Sequence, residues 1–242
     1  PLRPFRVAVY RPWQGSMDEG WLRWILERYG FQPYQLRNHE IRDGGLRDRF
    51  DAVVLPSVGS RFILEGNREG RVPAEYLGGI GEVGLEALKA FAQEGGTLFF
   101  HEASTDLAIE HFDLPLREVS DAARNGGFYS AGSILGFSWN QATPLTRGMN
   151  PVGVAFVTSR ASLFEITGEG DGPVGNPRVV GSFPETGPLL LSGYLEGEEA
   201  LLGASPIVEV PYGRGRLVLV GFSLHNRAQM LSNFKLLFNA AD

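Results

Sequence analysis

The stretch GGTLFFHEAST, Gly95–Thr105, changes character twice. Its two glycines stop a preceding helix, and Thr97–His101 is apolar enough for a strand buried on both faces. The chain then turns abruptly to small and polar residues that suit the start of a helix. Open α/β sheets gather ligands just past the carboxyl end of such a strand. A sharp strand-to-helix bend there can lift one side chain into a cleft. His101, Glu102, Ala103 and Ser104 are the residues so placed.

Working outward, the first half alternates strand and helix signals. FRVAVY (Phe5–Tyr10) fits a short buried strand. Ser16-Met17-Asp18-Glu19 fits a capping box, with Ser16 as N-cap and Glu19 at the third helical position. Trp21, Leu22, Trp24, Ile25, Leu26 and Tyr29 follow at helical spacing, and Gly30 closes the helix. FQPYQL predicts a second strand, IRDGGLRDRF a helical turn, and DAVVLPS (Asp51–Ser57) a parallel strand. Gly84–Glu94 is amphipathic through Leu85, Leu88, Phe91 and Ala92, and a short helix through Leu107 and Ile109 follows the elbow. From about Gly126 short strand signals (GSILGFSW, GVAFVTS, RVVGSF, PLLLSGYL, SPIVEV) alternate with Gly, Pro and Asn turns. GRGRLVLVGF (Gly213–Phe222) is a long apolar strand, and NRAQMLSNFKLLFNAA predicts a closing amphipathic helix. The expectation is a single α/β domain over 1–242 with a flavodoxin-like, mostly parallel sheet and helices on both faces. A β-rich antiparallel insertion over about 126–212 precedes the last β-α unit. The chain opens on Pro1 rather than Met, so we expect a piece of a longer protein.

Composition narrows the function. A net charge of −6 argues against nonspecific affinity for nucleic acid or an anionic membrane, and neither is expected as a partner. The absence of cysteine excludes disulfides, thiolate metal sites and a cysteine nucleophile. No apolar run approaches the roughly 18 residues of a membrane span.

Several motifs have a plain structural reading. Gly79, Gly81 and Gly84 spell G-x-G-x-x-G, but a Pro- and Gly-containing loop precedes them where a dinucleotide site needs a strand, so they read as a structural loop. His39, His101, His111 and His225 form neither H-E-x-x-H nor H-x-x-E, and no metal ligands are assigned. His101, Glu102 and His225 could meet a zinc ion only if the chain bends between the first two. Ser104 sits at the elbow as a candidate nucleophile with His225 as base, although a serine followed by Thr105-Asp106 also reads as an N-cap. SLHNRAQM (Ser223–Met230) is polar at a strand end, so Arg227 or Gln229 could touch a ligand. Trp13, Trp21, Trp24, Phe99 and Phe100 are assigned to the core.

The elbow resembles class I glutamine amidotransferase-like domains. In such domains a Gly-Gly turn leads into a strand that ends in a nucleophilic cysteine, and a histidine after a late strand completes a dyad. Gly95-Gly96-Thr97 match the turn and Leu98–His101 the strand. Glu102 stands at the cysteine position and His225 near the histidine. Arg227 replaces the usual acid, and Ser57-Val58 stand where oxyanion-hole glycines belong. A longer collinear likeness covers SMDEGWLRWILERYGF, VPAEYLGGIGEVGLEALKAFAQEGGTL, SGYLEGEEALLGASPIVEVPYGRGRLVLVGF and HNRAQMLSNFKLLFNA. These segments are similar to the region C-terminal to the peptidase domain in bacterial carboxypeptidase A-type zinc carboxypeptidases. The resemblance implies an exported parent, periplasmic or extracellular, with zinc only in its separate peptidase domain and no cofactor here.

The first expectation is therefore a non-catalytic accessory domain. It would pack on the peptidase domain of the same parent chain, or bind a small-molecule or peptide ligand through His101, Glu102, Ser57, His225 and Arg227. A second is a hydrolase of altered chemistry in which Glu102 acts as general base beside His101 or His225, with or without a metal. A third is self-association, since modules of this kind serve as interfaces in some glycosidases.

Overall fold

A computed structural model of the chain describes residues 5–240. Its first half runs β1 (Val7–Tyr10), α1 (Met17–Arg28), β2 (Tyr34–Leu36), α2 (Asn38–Arg42), α3 (Leu46–Arg49), β3 (Ala52–Leu55), α4 (Ser60–Glu65), α5 (Gly81–Gln93), β4 (Thr97–His101) and α6 (Thr105–His111). Then come β5 (Leu116–Glu118), α7 (Ser120–Asn125), β6 (Tyr129–Ser130), β7 (Ser133–Trp139), β8 (Val152–Val157), β9 (Phe164–Ile166) and β10 (Arg178–Ser182). The chain ends with β11 (Leu190–Ser192), β12 (Leu195–Glu196), β13 (Ile207–Tyr212), β14 (Gly215–Val220) and α8 (Phe234–Ala240).

The central sheet has ten strands. Its parallel part runs β2-β1-β3-β4-β14, the flavodoxin-like order 2-1-3-4-5 with its switch point between β1 and β3. Register explains the unbroken apolar runs. Val9, Val54, Phe99 and Val218 form one row across the strands. They pack on the side of Leu22 and Leu26 from α1 and Leu236 and Leu237 from α8. Ala8, Val53, Leu98 and Leu217 form the neighbouring row and face Ile41, Leu85 and Leu88 from α2 and α5. Alternate residues thus meet opposite helical layers, which is why neither face is polar.

Beyond β14 the sheet becomes antiparallel through β13, β10 and β7, with β11 and β8 both on β7. The chain is an α/β fold of mostly parallel strands with an antiparallel extension. β8 also reaches back to the parallel part, where Phe156 bridges Ser223 just past β14.

Local signals act largely as their chemistry dictates. The Ser16 hydroxyl accepts the Glu19 N–H at 3.2 Å, while the Glu19 carboxylate takes Arg23 instead of closing the capping box. Gly30 stops α1 with a φ of +87°. A Cβ at Gly79 would lie 2.3 Å from the Ile63 carbonyl oxygen, so this glycine serves close backbone packing, and α4 and a 3-10 turn, not a strand, separate it from β3.

The closing helix is shorter than its periodicity predicts. α8 begins only at Phe234, because Asn226, Arg227 and Ala228 adopt φ of +33°, +57° and +61°. The Asn233 side chain donates to the carbonyls of Leu224 (3.0 Å) and Val154 (2.8 Å), which draws the chain back across β8 before the α-helix starts. Ala241, the last residue of the expected helix, lies outside the described residues.

Candidate functional site

A cleft of about 570 Å³ opens at the carboxyl ends of β1, β3, β4 and β14, at the switch point of the sheet. It is lined by Pro12 and residues 14–18 after β1, 57–59 after β3, Glu102 after β4, and Ser223 with 225–227 after β14.

The elbow after β4 is sharp. Glu102 has a φ of +47°, a left-handed conformation that costs a non-glycine residue about 1–2 kcal/mol. The bend resolves a geometric difficulty of the sequence. His101 ends the strand on the α1 side, and one strained residue later Glu102 lines the cleft. Ser104 does neither of the jobs its position suggests. Its hydroxyl accepts the His101 N–H at 2.8 Å and donates to the Leu55 carbonyl at 2.9 Å, and the residue is fully buried. It ties β3 to β4, leaving no free hydroxyl for attack and no cap for α6.

Behind the elbow lies a clasp centred on Asp18, in the first turn of α1. Its Oδ2 accepts the Ser57 N–H at 2.7 Å and the His101 Nδ1–H at 2.8 Å. The Leu224 N–H donates to His101 Nε2 at 2.9 Å, which fixes the Nδ1–H tautomer. On the other side, His225 Nε2 lies 2.7 Å from Asp18 Oδ1. The contact is poorly aligned for a hydrogen bond, so neither nitrogen of this buried ring has a hydrogen-bonding partner among the described residues. The two imidazoles stack at 5.1 Å and 24°.

Burial alone would raise the Asp18 pKa, but the flanking imidazoles outweigh it and hold the carboxyl well below the usual carboxylate range. For His101, burial opposes a charged ring and the Asp18 carboxylate outweighs it, raising the pKa. A second proton on that ring would still have to displace the Leu224 N–H.

Donor atoms of Asp18, His101 and His225 lie within 4.8 Å of one another. With both nitrogens of His101 already committed, a cation would find only Asp18 and His225 as ligands. The zinc set considered above is thus recast: the residue between the two histidines is Asp18, not Glu102.

Of the other expected site residues, Glu102, Ser57, His225 and Arg227 share the cleft. His101, with no exposure, is set behind Asp18 and reaches the cleft only through it. The core assignment needs correcting for three tryptophans: Trp13 is only half-buried, under the Arg37 guanidinium and outside both core clusters. Phe99 and Phe100 are buried, but Trp24 is 47% exposed, and Trp21 is a cleft wall.

No family model matches the chain, and no curated protein matches it in sequence. Solved structures do match. A cytoplasmic protein of Salmonella typhimurium aligns over 97% of this chain and 96% of its own, with 14% identity and a TM-score of 0.55. A GMP synthase-type protein of Thermoplasma acidophilum aligns over 98% and 92%, with 8% identity and a TM-score of 0.56. A β-galactosidase from Bacillus circulans sp. alkalophilus aligns over 98% of this chain but 30% of its own, with 14% identity and a TM-score of 0.54. The likeness is one of fold.

Proposed function

We propose that this chain is a ligand-binding accessory domain on an amidotransferase-like scaffold, without hydrolytic activity of its own. The carrying observation is the elbow: Glu102 occupies the bend in a left-handed conformation, while the nearby Ser104 hydroxyl is committed to the backbone of β3 and β4. The domain would serve a zinc carboxypeptidase parent outside the cytoplasm, packing on its peptidase domain and needing no cofactor itself. Attack on an amide requires a nucleophile, a base within reach and an oxyanion hole, and the elbow offers a carboxylate in place of a free hydroxyl or thiol. Purified protein incubated with glutamine and with small esters should release no ammonia or alcohol above background. Saturable turnover that disappears in Glu102→Gln would overturn the reading.

One observation favours a second reading, a hydrolase of altered chemistry. His225 carries a carboxylate at one ring nitrogen and shares the cleft with Glu102. Glu102 would then draw a proton from water with His225 assisting. The same assay decides between the two.

A further inference from the structure

The cleft mixes both signs of charge with aromatic walls, and from this we infer that its ligand is a neutral polyhydroxylated molecule of the size of a mono- or disaccharide. The inference rests on the binding reading above and specifies its ligand.

Glu102 is held through its backbone, where the carbonyl accepts the Thr105 hydroxyl at 2.6 Å. Its half-buried carboxylate lines the cleft with no partner among the described residues. Arg227 stands exposed on the same rim, on a turn of three left-handed residues, and joins none of the described ion pairs. His225 lines the same cleft, 3% exposed, with its Nδ1 unpartnered among the described residues. A buried imidazole nitrogen without a hydrogen bond is destabilising, and a ligand hydroxyl seated in the cleft would relieve that deficit.

Charge selects the ligand class. A cation drawn to Glu102 and Asp18 meets Arg227, and an anion drawn to Arg227 meets two carboxylates. Hydroxyl groups satisfy all three partners, donating to Glu102, accepting from Arg227, and doing either at His225. The walls complete the fit. Trp21, held edge-to-face by Trp24 at 5.9 Å, and Phe156, placed by its bridge to Ser223, offer apolar surface to the flat faces of a sugar ring.

The test is ligand-observed NMR on the purified protein with glucose, galactose, lactose and maltose, set against glutamine, putrescine, succinate and zinc chloride. At least one saccharide should bind saturably at millimolar concentration. Glu102→Gln, which preserves the shape of the side chain, should raise its Kd about tenfold. Trp21→Ala should raise it at least as much, with the far-UV spectrum of both variants unchanged. Absence of binding by all four saccharides overturns the inference. So does binding of glutamine, putrescine or succinate alone, or stoichiometric zinc uptake lost in Asp18→Asn. Binding of glutamine, putrescine or succinate without turnover leaves the binding reading standing, whereas turnover of a probe into product, or stoichiometric zinc uptake, counts against it as well.

Discussion

Two strands end side by side at the cleft, with His101 of β4 paired to Val220 of β14, yet they release their chains in different ways. β4 turns within a single strained residue, and that residue keeps its charged group free. β14 runs on to His225, which is caught by Asp18, and only then does the chain turn through three left-handed residues. The ends are equivalent in the sheet but opposite in commitment. Glu102 lines the cleft with no side-chain partner among the described residues, whereas His101 is hydrogen-bonded inward to Asp18 and His225 rests against the same carboxylate. A group wired into its surroundings supports the fold, and one left unwired is available to a ligand.

Removing the hub should show the largest effect. Asp18→Ala strips the partner from the His101 Nδ1–H, the Ser57 N–H and His225 together. Loss of one member of such a buried charged cluster costs about 3 kcal/mol, read as a lower urea midpoint at unchanged slope. Glu102→Ala, whose side chain has no partner among the described residues, should move stability by no more than about 0.5 kcal/mol. Equal losses at the two positions would erase the contrast.

The same contrast has a pH signature. Asp18 titrates below its ordinary value of about 3.9. Its stabilisation is therefore present above about pH 4 and is lost as the pH falls through the depressed folded value. Asp51, lowered chiefly by its hydrogen bond to Arg6 against the opposing burial, acts with the same sign. Urea midpoints between pH 5 and pH 2 should thus fall in the native protein and fall less steeply in Asp18→Asn. Parallel curves would remove Asp18 from the acid limb.

The elbow's own strain is smaller. Glu102→Gly relieves the left-handed backbone at the cost of a more flexible unfolded chain, so it should stabilise by up to about 1 kcal/mol. Glu102→Ala keeps the strain and gains nothing, which separates backbone from side chain in the same thermal melts.

The parts of this picture that were legible beforehand share a physical reason. β1, β3, β4 and β14 are buried on both faces, so each announces itself as a continuous apolar run, and the break after TLFFH marks the elbow. Asp18 was hidden because an acid in the first turn of a helix is favoured there by the backbone dipole alone. Nothing local distinguishes it from its neighbour Glu19, and its partner His101 lies 83 positions away. Ser104 resembled a cap for the same kind of reason: the bonds it makes run backward to β4 and sideways to β3. Around Met230 and Leu231 the helical period continues through a loop residue and a single 3-10 turn (Leu231–Asn233) rather than an α-helix, because the Asn233 side chain has claimed the carbonyl of Leu224.

That turn supplies the finest test. Asn226, Arg227 and Ala228 all have positive φ, but asparagine tolerates the left-handed region far better than alanine does. If the turn is held open by the anchoring of His225 and Asn233, its strain is real and uneven. Ala228→Gly should then stabilise by about 1 kcal/mol and Asn226→Gly by only a few tenths. If the residues instead relax toward an extension of α8, Ala228→Gly puts glycine inside a helix and destabilises by about 1 kcal/mol. The sign of that one change reports whether β14 surrenders its chain to the cleft or to the helix. In the second case Arg227 would leave the cleft rim, and the unwired side of the comparison would rest on Glu102 alone.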